Sequence, residues 1–536
     1  MNLIKNFKID KNKIREFSIV LTTLFLITTF LYLKFINGTY IFASGDYLAP
    51  KMISESIKSL MEKYGEYPYW LPSIFGGMPT IHSLQNISDY YMPNYILSIL
   101  KILSIPEIWT QLIHLIFAGL GVYILLRSMK IDFLVSLFGA ILFLMAPYMN
   151  VCIVHGHGSQ IMTASYIPWI CFALFKLSKK QNLNNLGLLG ILLGFQLQRG
   201  HIQIAYYTWV MIGIFILYKI ITSKLPSKFY YYLIISLTSG FLMAISILWP
   251  SYKYSEYSIR SLIEGGAGLN YATGWSFTFK EMITFILPSF YGFGGQTYWG
   301  NIEPAMTDFP NYLGFFVFIF MLYGIVISLK EKTNLYFIII SLFFLLLSLG
   351  KNFFLFEILF SYLPFFNKFR VPMMALMIFQ FSAIILSSLG LNSFIKMINN
   401  KNTKILKNFI IIMGTLSLLL IVFKFIFLNS INIRDDIEIA VKNMIHFDLN
   451  KLLLIIFSAF SLCLLLLYNT IKISFKSLPV LIIILSIFDM YFINQKIIDN
   501  PYVVIQANKN KMSNSNNWEE NLSNEEKFRI ICPEVP

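Results

Sequence analysis

Phe17-Ser-Ile-Val-Leu-Thr-Thr-Leu-Phe-Leu-Ile-Thr-Thr-Phe-Leu-Tyr-Leu-Lys-Phe-Ile36 is the stretch that decides the fold class. Twenty residues at about 1.5 Å of helical rise each reach about 30 Å, the thickness of a bilayer's hydrocarbon core. Lys5, Lys8, Lys11, Lys13 and Arg15 precede the run, as they would a signal sequence. The apolar stretch is longer than a typical signal core and no small-x-small cleavage site follows it. It is therefore expected to remain as an uncleaved anchor with its N-terminus inside.

Working outward, apolar runs of about 17 to 22 residues recur along the chain. Spans are expected near 17–36, 108–126, 131–150, 161–177, 183–199, 202–221, 229–250, 311–329, 334–350, 371–390, 408–428, 451–468 and 478–495. Composition agrees: 57% of residues are hydrophobic and 13% charged, with a mean hydropathy of +0.66, far from a soluble chain. The expected architecture is an all-α polytopic membrane protein of about 13 transmembrane helices with extracytoplasmic interfacial helices. Residues 1–495 form the integral domain and 496–536 a polar extracytoplasmic tail.

Starting inside, alternate loops carry Arg127 and Lys130; Lys176, Lys179 and Lys180; Lys219, Lys224 and Lys228; Lys330 and Lys332; Lys396 to Lys407; and Lys472 and Lys476. Each falls on the predicted cytoplasmic side. The inner face then holds about 21 cations and 4 acids, against about 21 and 23 outside. This asymmetry accounts for the net charge of +15, so no nucleic-acid partner is needed to explain it. Cys152, Cys171, Cys463 and Cys532 show no CxxC spacing and no regular framework, which indicates neither a zinc site nor a disulfide scaffold.

The predicted cytoplasmic connections are short, whereas residues 37–107, 251–310, 351–370 and 429–450 form long outer segments, where binding and chemistry concentrate. In the first of these, Ile41-Phe-Ala-Ser-Gly-Asp46 leads to an amphipathic helix expected between Pro50 and Gly65. Ile53, Ile57, Leu60, Met61 and Tyr64 lie on one face, and Lys51, Glu55, Lys58, Glu62 and Lys63 on the other. Asp46 thus falls near head-group depth, either as a carboxylate that meets a lipid-linked substrate, or as a cap of the helix behind it or a merely solvated side chain. Tyr67-Pro-Tyr-Trp-Leu-Pro-Ser-Ile-Phe-Gly-Gly-Met-Pro79 resists regular structure, and its aromatics, Trp70 among them, suit sugar stacking or membrane anchoring. His82 and Asp89 follow.

Other polar groups mark outer ends of spans. Val154-His-Gly-His-Gly-Ser-Gln160 sets His155 and His157 two apart, with no third metal ligand and no HExxH, which favours hydrogen bonding over ligation. Gln196-Leu-Gln-Arg-Gly-His-Ile-Gln203 places Arg199 and His201 at a membrane boundary, facing a partner or snorkelling outward. Phe365-Phe-Asn-Lys-Phe-Arg-Val-Pro372 presents Lys368 and Arg370. Seven of the 42 cations are Arg, and Arg199, Arg260, Arg370, Arg434 and Arg529 are all outer. Guanidinium grips phosphate oxygens through a planar fork, which ranks Arg370, Arg199 and Arg260 as phosphate ligands. Glu256 and Glu264 lie in the same loop as Arg260, whose glycines, Gly265-Gly-Ala-Gly268 and Gly292-Phe-Gly-Gly295, lack the strand and helix of a nucleotide site. Asp489 is the clear acid within a span, functional or paired inside the bundle.

Taken in order, Gly45-Asp46, the helix behind it, Tyr69-Trp-x-Pro-x-x-Phe-Gly-Gly-x-Pro79, Gly156-His157, Gly200-His-Ile-Gln203 and Phe369-Arg-Val-Pro372 resemble the YfhO-like bacterial membrane proteins, of the GT-C glycosyltransferase type. The resemblance implies an active site at the outer leaflet of the inner membrane, a polyprenyl-phosphate sugar as donor, and a cell-envelope polymer or lipid as acceptor. It implies Asp46 as the catalytic carboxylate of an inverting transfer, with Arg370, then Arg199 or Arg260, on the lipid phosphate. His155, His157 and His201, with His82, Asp89 and Trp70, would bind substrate. A divalent cation serves some relatives, but this chain has no DxD and none is expected. Such proteins generally continue into a larger extracytoplasmic region and a returning helix, whereas here about 40 polar residues close the sequence, so acceptor recognition is expected to differ. A transporter or flippase of lipid-linked sugars, or a non-catalytic envelope scaffold, fits the same outer groups, although no internal repeat marks transporter halves.

Overall fold

The computed structural model describes residues 11–72, 74, 76–81, 90–223, 225–257, 268–302, 311–332, 334–400, 403–468, 477–499 and 504–506. His82, Asp89, Arg260, Glu264 and Cys532 lie outside these residues, as does most of the predicted 496–536 tail.

Helices dominate. In chain order they begin with α1 (Lys11–Leu31), β1 (Tyr40–Phe42), α2 (Gly45–Tyr64), β2 (Trp70–Leu71), β3 (Met78–Pro79), α3 (Asn94–Ile102), α4 (Ile108–Ser128), α5 (Phe133–Leu144), α6 (Pro147–Val154) and α7 (Gly158–Ala164). Then follow α8 (Ile167–Lys179), α9 (Leu183–Gln198), α10 (Ile202–Thr222), α11 (Ser227–Met243), α12 (Ile245–Tyr254) and α13 (Leu269–Ala272). The C-terminal part holds α14 (Phe315–Glu331), α15 (Leu335–Ser348), α16 (Leu355–Tyr362), α17 (Leu376–Asn399), α18 (Thr403–Val422), α19 (Glu438–Tyr468), α20 (Ser477–Ile498) and β4 (Val504–Gln506).

Among the described residues, nine helical segments are long and apolar enough to cross a membrane, ten if the pair Ser227–Met243 and Ile245–Tyr257, bent by 71°, counts as one. The chain is an all-α polytopic membrane protein. Helices stand at all thirteen expected positions, but α9, α14 and α15 have 16, 17 and 14 residues. They rise only about 21 to 26 Å, short of a full hydrocarbon core.

Small residues let the helices meet closely, as they must where lipid supplies no hydrophobic drive. A side-chain carbon on Gly324 of α14 would lie 2.1 Å from the Leu386 carbonyl oxygen of α17, and one on Gly390 equally close to that of Phe320. Gly190 and Gly194 on α9 and Gly240 on α11 make a second such seam.

Polar contacts sort the connections into two ends. At one end Arg127 pairs with Glu16 at 2.9 Å, Lys179 reaches the Ser128 carbonyl, and Asn392 accepts from the Asp132 amide. These segments are predicted cytoplasmic. At the other end β1 pairs antiparallel with β4, Tyr40 opposite Gln506, and the Asp448 carboxylate accepts from the Ser289 amide. All these segments are predicted outer.

Two local readings change. The helix behind Asp46 begins at Gly45, not near Pro50, so Pro50 sits inside it, and no side chain caps it. The Trp70 segment, expected to resist regular structure, closes as a short hairpin of β2 and β3, with Trp70 opposite Pro79. Gly77 allows it: its φ is +117°, and a side-chain carbon there would lie 2.5 Å from the Trp70 ring. The predicted outer segment 429–450 is helical from Glu438 onward, because α19 is one 31-residue helix.

Candidate functional site

Asp46 lies in the first turn of α2, where the helix dipole favours an anion. Its Oδ2 is 3.1 Å from His157 Nε2, across 111 residues of sequence. The Asp46 side chain is 76% exposed, so it remains open to a partner from outside. Backbone fit holds the pair together. The turn between α6 and α7 passes over the start of α2 at Gly156, whose φ is +84°. A side-chain carbon there would lie 2.3 Å from the Tyr47 nitrogen and 2.5 Å from the Asp46 carbonyl carbon. Only glycine admits that approach. Ser44 Oγ also reaches the Val154 carbonyl at 3.5 Å. The ring of His155 is 6.4 Å from that of His157, centroid to centroid.

The helix that His157 precedes, α7, leads to a second group. Tyr166, just beyond α7, has its hydroxyl 2.5 Å from that of Tyr91, which lies 2.9 Å from His114 Nε2. His114 Nδ1 faces the Thr110 carbonyl at 2.7 Å, an acceptor only, so Nδ1 carries a proton and Nε2 is the nitrogen that meets the Tyr91 hydroxyl. Arg199, 5% exposed, stacks over Tyr91 with its guanidinium carbon 4.5 Å from the ring centroid. Its Nε has no hydrogen-bond partner, and among the described residues no carboxylate pairs with it. It does not snorkel outward. His201 serves locally, its Nδ1 accepting from the Ile204 amide at 3.3 Å as the N-cap of α10.

Arg370 forms a third group. Its Nη1 donates to the Tyr271 hydroxyl at 2.7 Å, and its guanidinium faces the Tyr271 and Trp275 rings at 5.5 and 6.0 Å. Its carbonyl accepts from Gln203 Nε2 at 2.7 Å, which ties it to the turn that bears Arg199 and His201. Val371 and Trp275 both have positive φ, +59° and +55°. Such backbone in bulky residues costs about 1–3 kcal/mol each and persists where surrounding structure dictates it. No hydrogen bond or ion pair joins Arg370 to Asp46. Trp70 is exposed on its hairpin.

A separate buried centre involves residues that the sequence reading selected only in part. Asp489 pairs with Lys451 at 2.8 Å and accepts from the Tyr312 hydroxyl at 2.8 Å and the Phe315 amide at 2.9 Å. It is therefore paired inside the bundle. Asp448, one turn before Lys451, is equally buried. Among the described residues no three His, Cys, Asp or Glu side chains gather as a metal site would require.

Tyr91, His114 and Tyr166 are not among the residues that the sequence motifs mark, whereas Gln203 closes the Gly200-His-Ile-Gln203 motif. His114 alone carried a usable signal, a polar residue inside an apolar run. No protein-family model matches the chain, and no curated protein matches it.

Proposed function

We propose that the chain is an inverting glycosyltransferase of the outer face of a bacterial inner membrane, moving a sugar from a polyprenyl-phosphate donor to a cell-envelope polymer or lipid. The observation that carries the reading is the exposed Asp46 carboxylate held by His157 at the start of an amphipathic helix. His157 Nε2–H donates to Oδ2 and fixes the carboxylate, which leaves Oδ1 facing outward for a substrate hydroxyl. Asp46 removes the acceptor's proton as that oxygen bonds to the anomeric carbon. The bond from carbon to phosphate oxygen breaks on the opposite face, and its electron pair leaves with the polyprenyl phosphate, whose charge Arg370 and Arg199 stabilise. None of the described side chains of α2 is buried in the protein, which supports a helix resting on lipid at the depth where such a donor presents its phosphate.

The resemblance to YfhO-like proteins and the thirteen-span count belong to the same reading. The ends of the bundle support it in one respect: segments predicted to be outer contact one another, and so do those predicted to be inner.

A flippase of lipid-linked sugars draws support from the Lys451–Asp489 pair, since ionisable groups inside a membrane bundle often serve transport. Proteoliposomes loaded with radiolabelled polyprenyl-phosphate sugar and an envelope acceptor separate the two. Transfer predicts a labelled acceptor stable to mild acid, with polyprenyl phosphate released. Label that crosses the bilayer and stays on lipid would establish the flippase.

A further inference from the structure

The helix pair α11–α12 fits two arrangements, one broken span or a span followed by a segment that lies along the membrane. Straight and continuous, residues 227–257 would rise about 46 Å, well beyond a hydrocarbon core of about 30 Å. The pair is instead bent by 71° around Ala244. From Lys228 on the predicted cytoplasmic side, α11 rises about 26 Å, and beyond the bend α12 adds only about 0.5 Å of depth per residue if α11 stands upright. α12 has two faces. Ile247 and Ser251, one turn apart, are buried against the protein. Ser246, Trp249, Tyr252 and Lys253 are exposed on the other face, and the Lys253 ammonium lies 5.3 Å from the centroid of the Trp249 ring. That face continues the outward surface of the span below it, where Phe241 and Leu242 are exposed. On its flank Tyr252 meets Phe365, of a predicted outer segment, at 6.0 Å, and both Phe365 and Tyr362 are exposed. Trp and Tyr, with an apolar body and a polar tip, gather where hydrocarbon gives way to head groups, and lysine stems snorkel beside them.

We infer that α12 docks flat on the outer leaflet, with Trp249 and Tyr252 at the boundary between acyl chains and head groups and Lys253 among the head groups. The membrane crossing then ends near Ala244 and does not continue to Pro250. Two hydrogen bonds brace the docked segment. Gln198 Nε2 donates to the Met243 carbonyl at the bend at 2.8 Å, and the Tyr206 hydroxyl donates to the Pro364 carbonyl, beside Phe365, at 2.7 Å. Both donors belong to the corner between α9 and α10, so the lipid surface that seats α12 also sets the depth of that corner. The docking is independent of the transfer reading.

Nitroxide labels on single cysteines at positions 241, 246, 249, 252 and 253 provide the test. All five positions are exposed, so labelling should leave the fold intact. The whole chain carries Cys532→Ser, its described cysteines being buried, and sits in nanodiscs of mixed phosphatidylethanolamine and phosphatidylglycerol. The ratio of oxygen to nickel-chelate accessibility reports the depth of each label. Docking predicts that positions 246 to 253 share one shallow depth, within about 4 Å of one another, and that position 241 lies deeper than all of them. Trp249→Ser with Tyr252→Ser should shift the labels at 246 and 253 toward water and leave the thermal midpoint unchanged. A steady change of depth from 246 to 253, in either direction and approaching about 1.5 Å per residue, would make α12 part of a broken span or a re-entrant loop and overturn the inference. High nickel-chelate access at every position of α12 would also overturn it, by placing the helix in bulk water. So would labels immobilised and closed to both reagents, which would show the face covered by protein.

Discussion

His157 Nε2 lies 3.1 Å from Asp46 Oδ2, and the glycine between the two histidines is what brings them there. One end of the pair belongs to the first outer segment and the other to the turn between α6 and α7. Their meeting makes a positioned carboxylate out of an exposed one.

Gly156→Ala should disrupt that meeting. The new carbon would overlap the backbone at Asp46 and Tyr47, and the positive φ adds about 1–3 kcal/mol of strain. The expected result is a lower thermal midpoint together with loss of a cross-link between cysteines placed at 46 and 157. An alanine variant that keeps both the midpoint and the cross-link would show that the approach is looser than described.

The buried pair Lys451–Asp489 is expected to be expensive to break and cheap to replace. Lys451→Met leaves Asp489 uncompensated and should cost about 3–5 kcal/mol, whereas Lys451→Met with Asp489→Leu should recover most of that. Reversible unfolding in mixed micelles measures both. A double variant no better than the single would assign the stability to the Tyr312 and Phe315 hydrogen bonds instead.

How much of this was legible in the sequence depends on the range of each interaction. Apolar runs located the long helices, because lipid solvation acts on each segment separately, but not the short α3, α13 and α16, which lie within outer segments. Helix ends were harder: α2 starts at Gly45 because Ser44 is extended and Pro50 tolerates the helix interior one turn in, and α19 runs back to Glu438 through buried charge. Asp46, His157, Arg199 and Arg370 all stand out in the sequence, and Asp46 and His157 prove to be each other's partners; Tyr91 and Tyr271, the partners of the two arginines, look in sequence like any other interfacial tyrosines. The fate of Arg199, stacked over Tyr91 and not snorkelling, depends on tertiary packing that periodicity does not encode.

Glu281 should give the outer loop a pH dependence. It is buried and accepts from the Tyr298 hydroxyl and the Asn301 amide, and burial raises its carboxyl above the ordinary 4.5 despite those donors. The folded state thus holds the proton more tightly than the unfolded one. Stability from this group is full below pH 4.5 and is lost as pH rises through the folded value. Hydrogen-exchange protection of residues 281–302, after correction for the intrinsic pH dependence of amide exchange, should fall over that interval, and Glu281→Gln should flatten the corrected profile. Protection in the variant that still falls with pH after that correction would place the titration elsewhere.

The central claim is that Asp46 is the base, and Asp46→Asn tests it most directly. The side chain is exposed, so folding should change by no more than about 0.5 kcal/mol. With radiolabelled polyprenyl-phosphate sugar in proteoliposomes, the account predicts a transfer rate at least about a hundredfold below the parent, with donor binding retained. Transfer at the parental rate by a folded Asp46→Asn protein would contradict it.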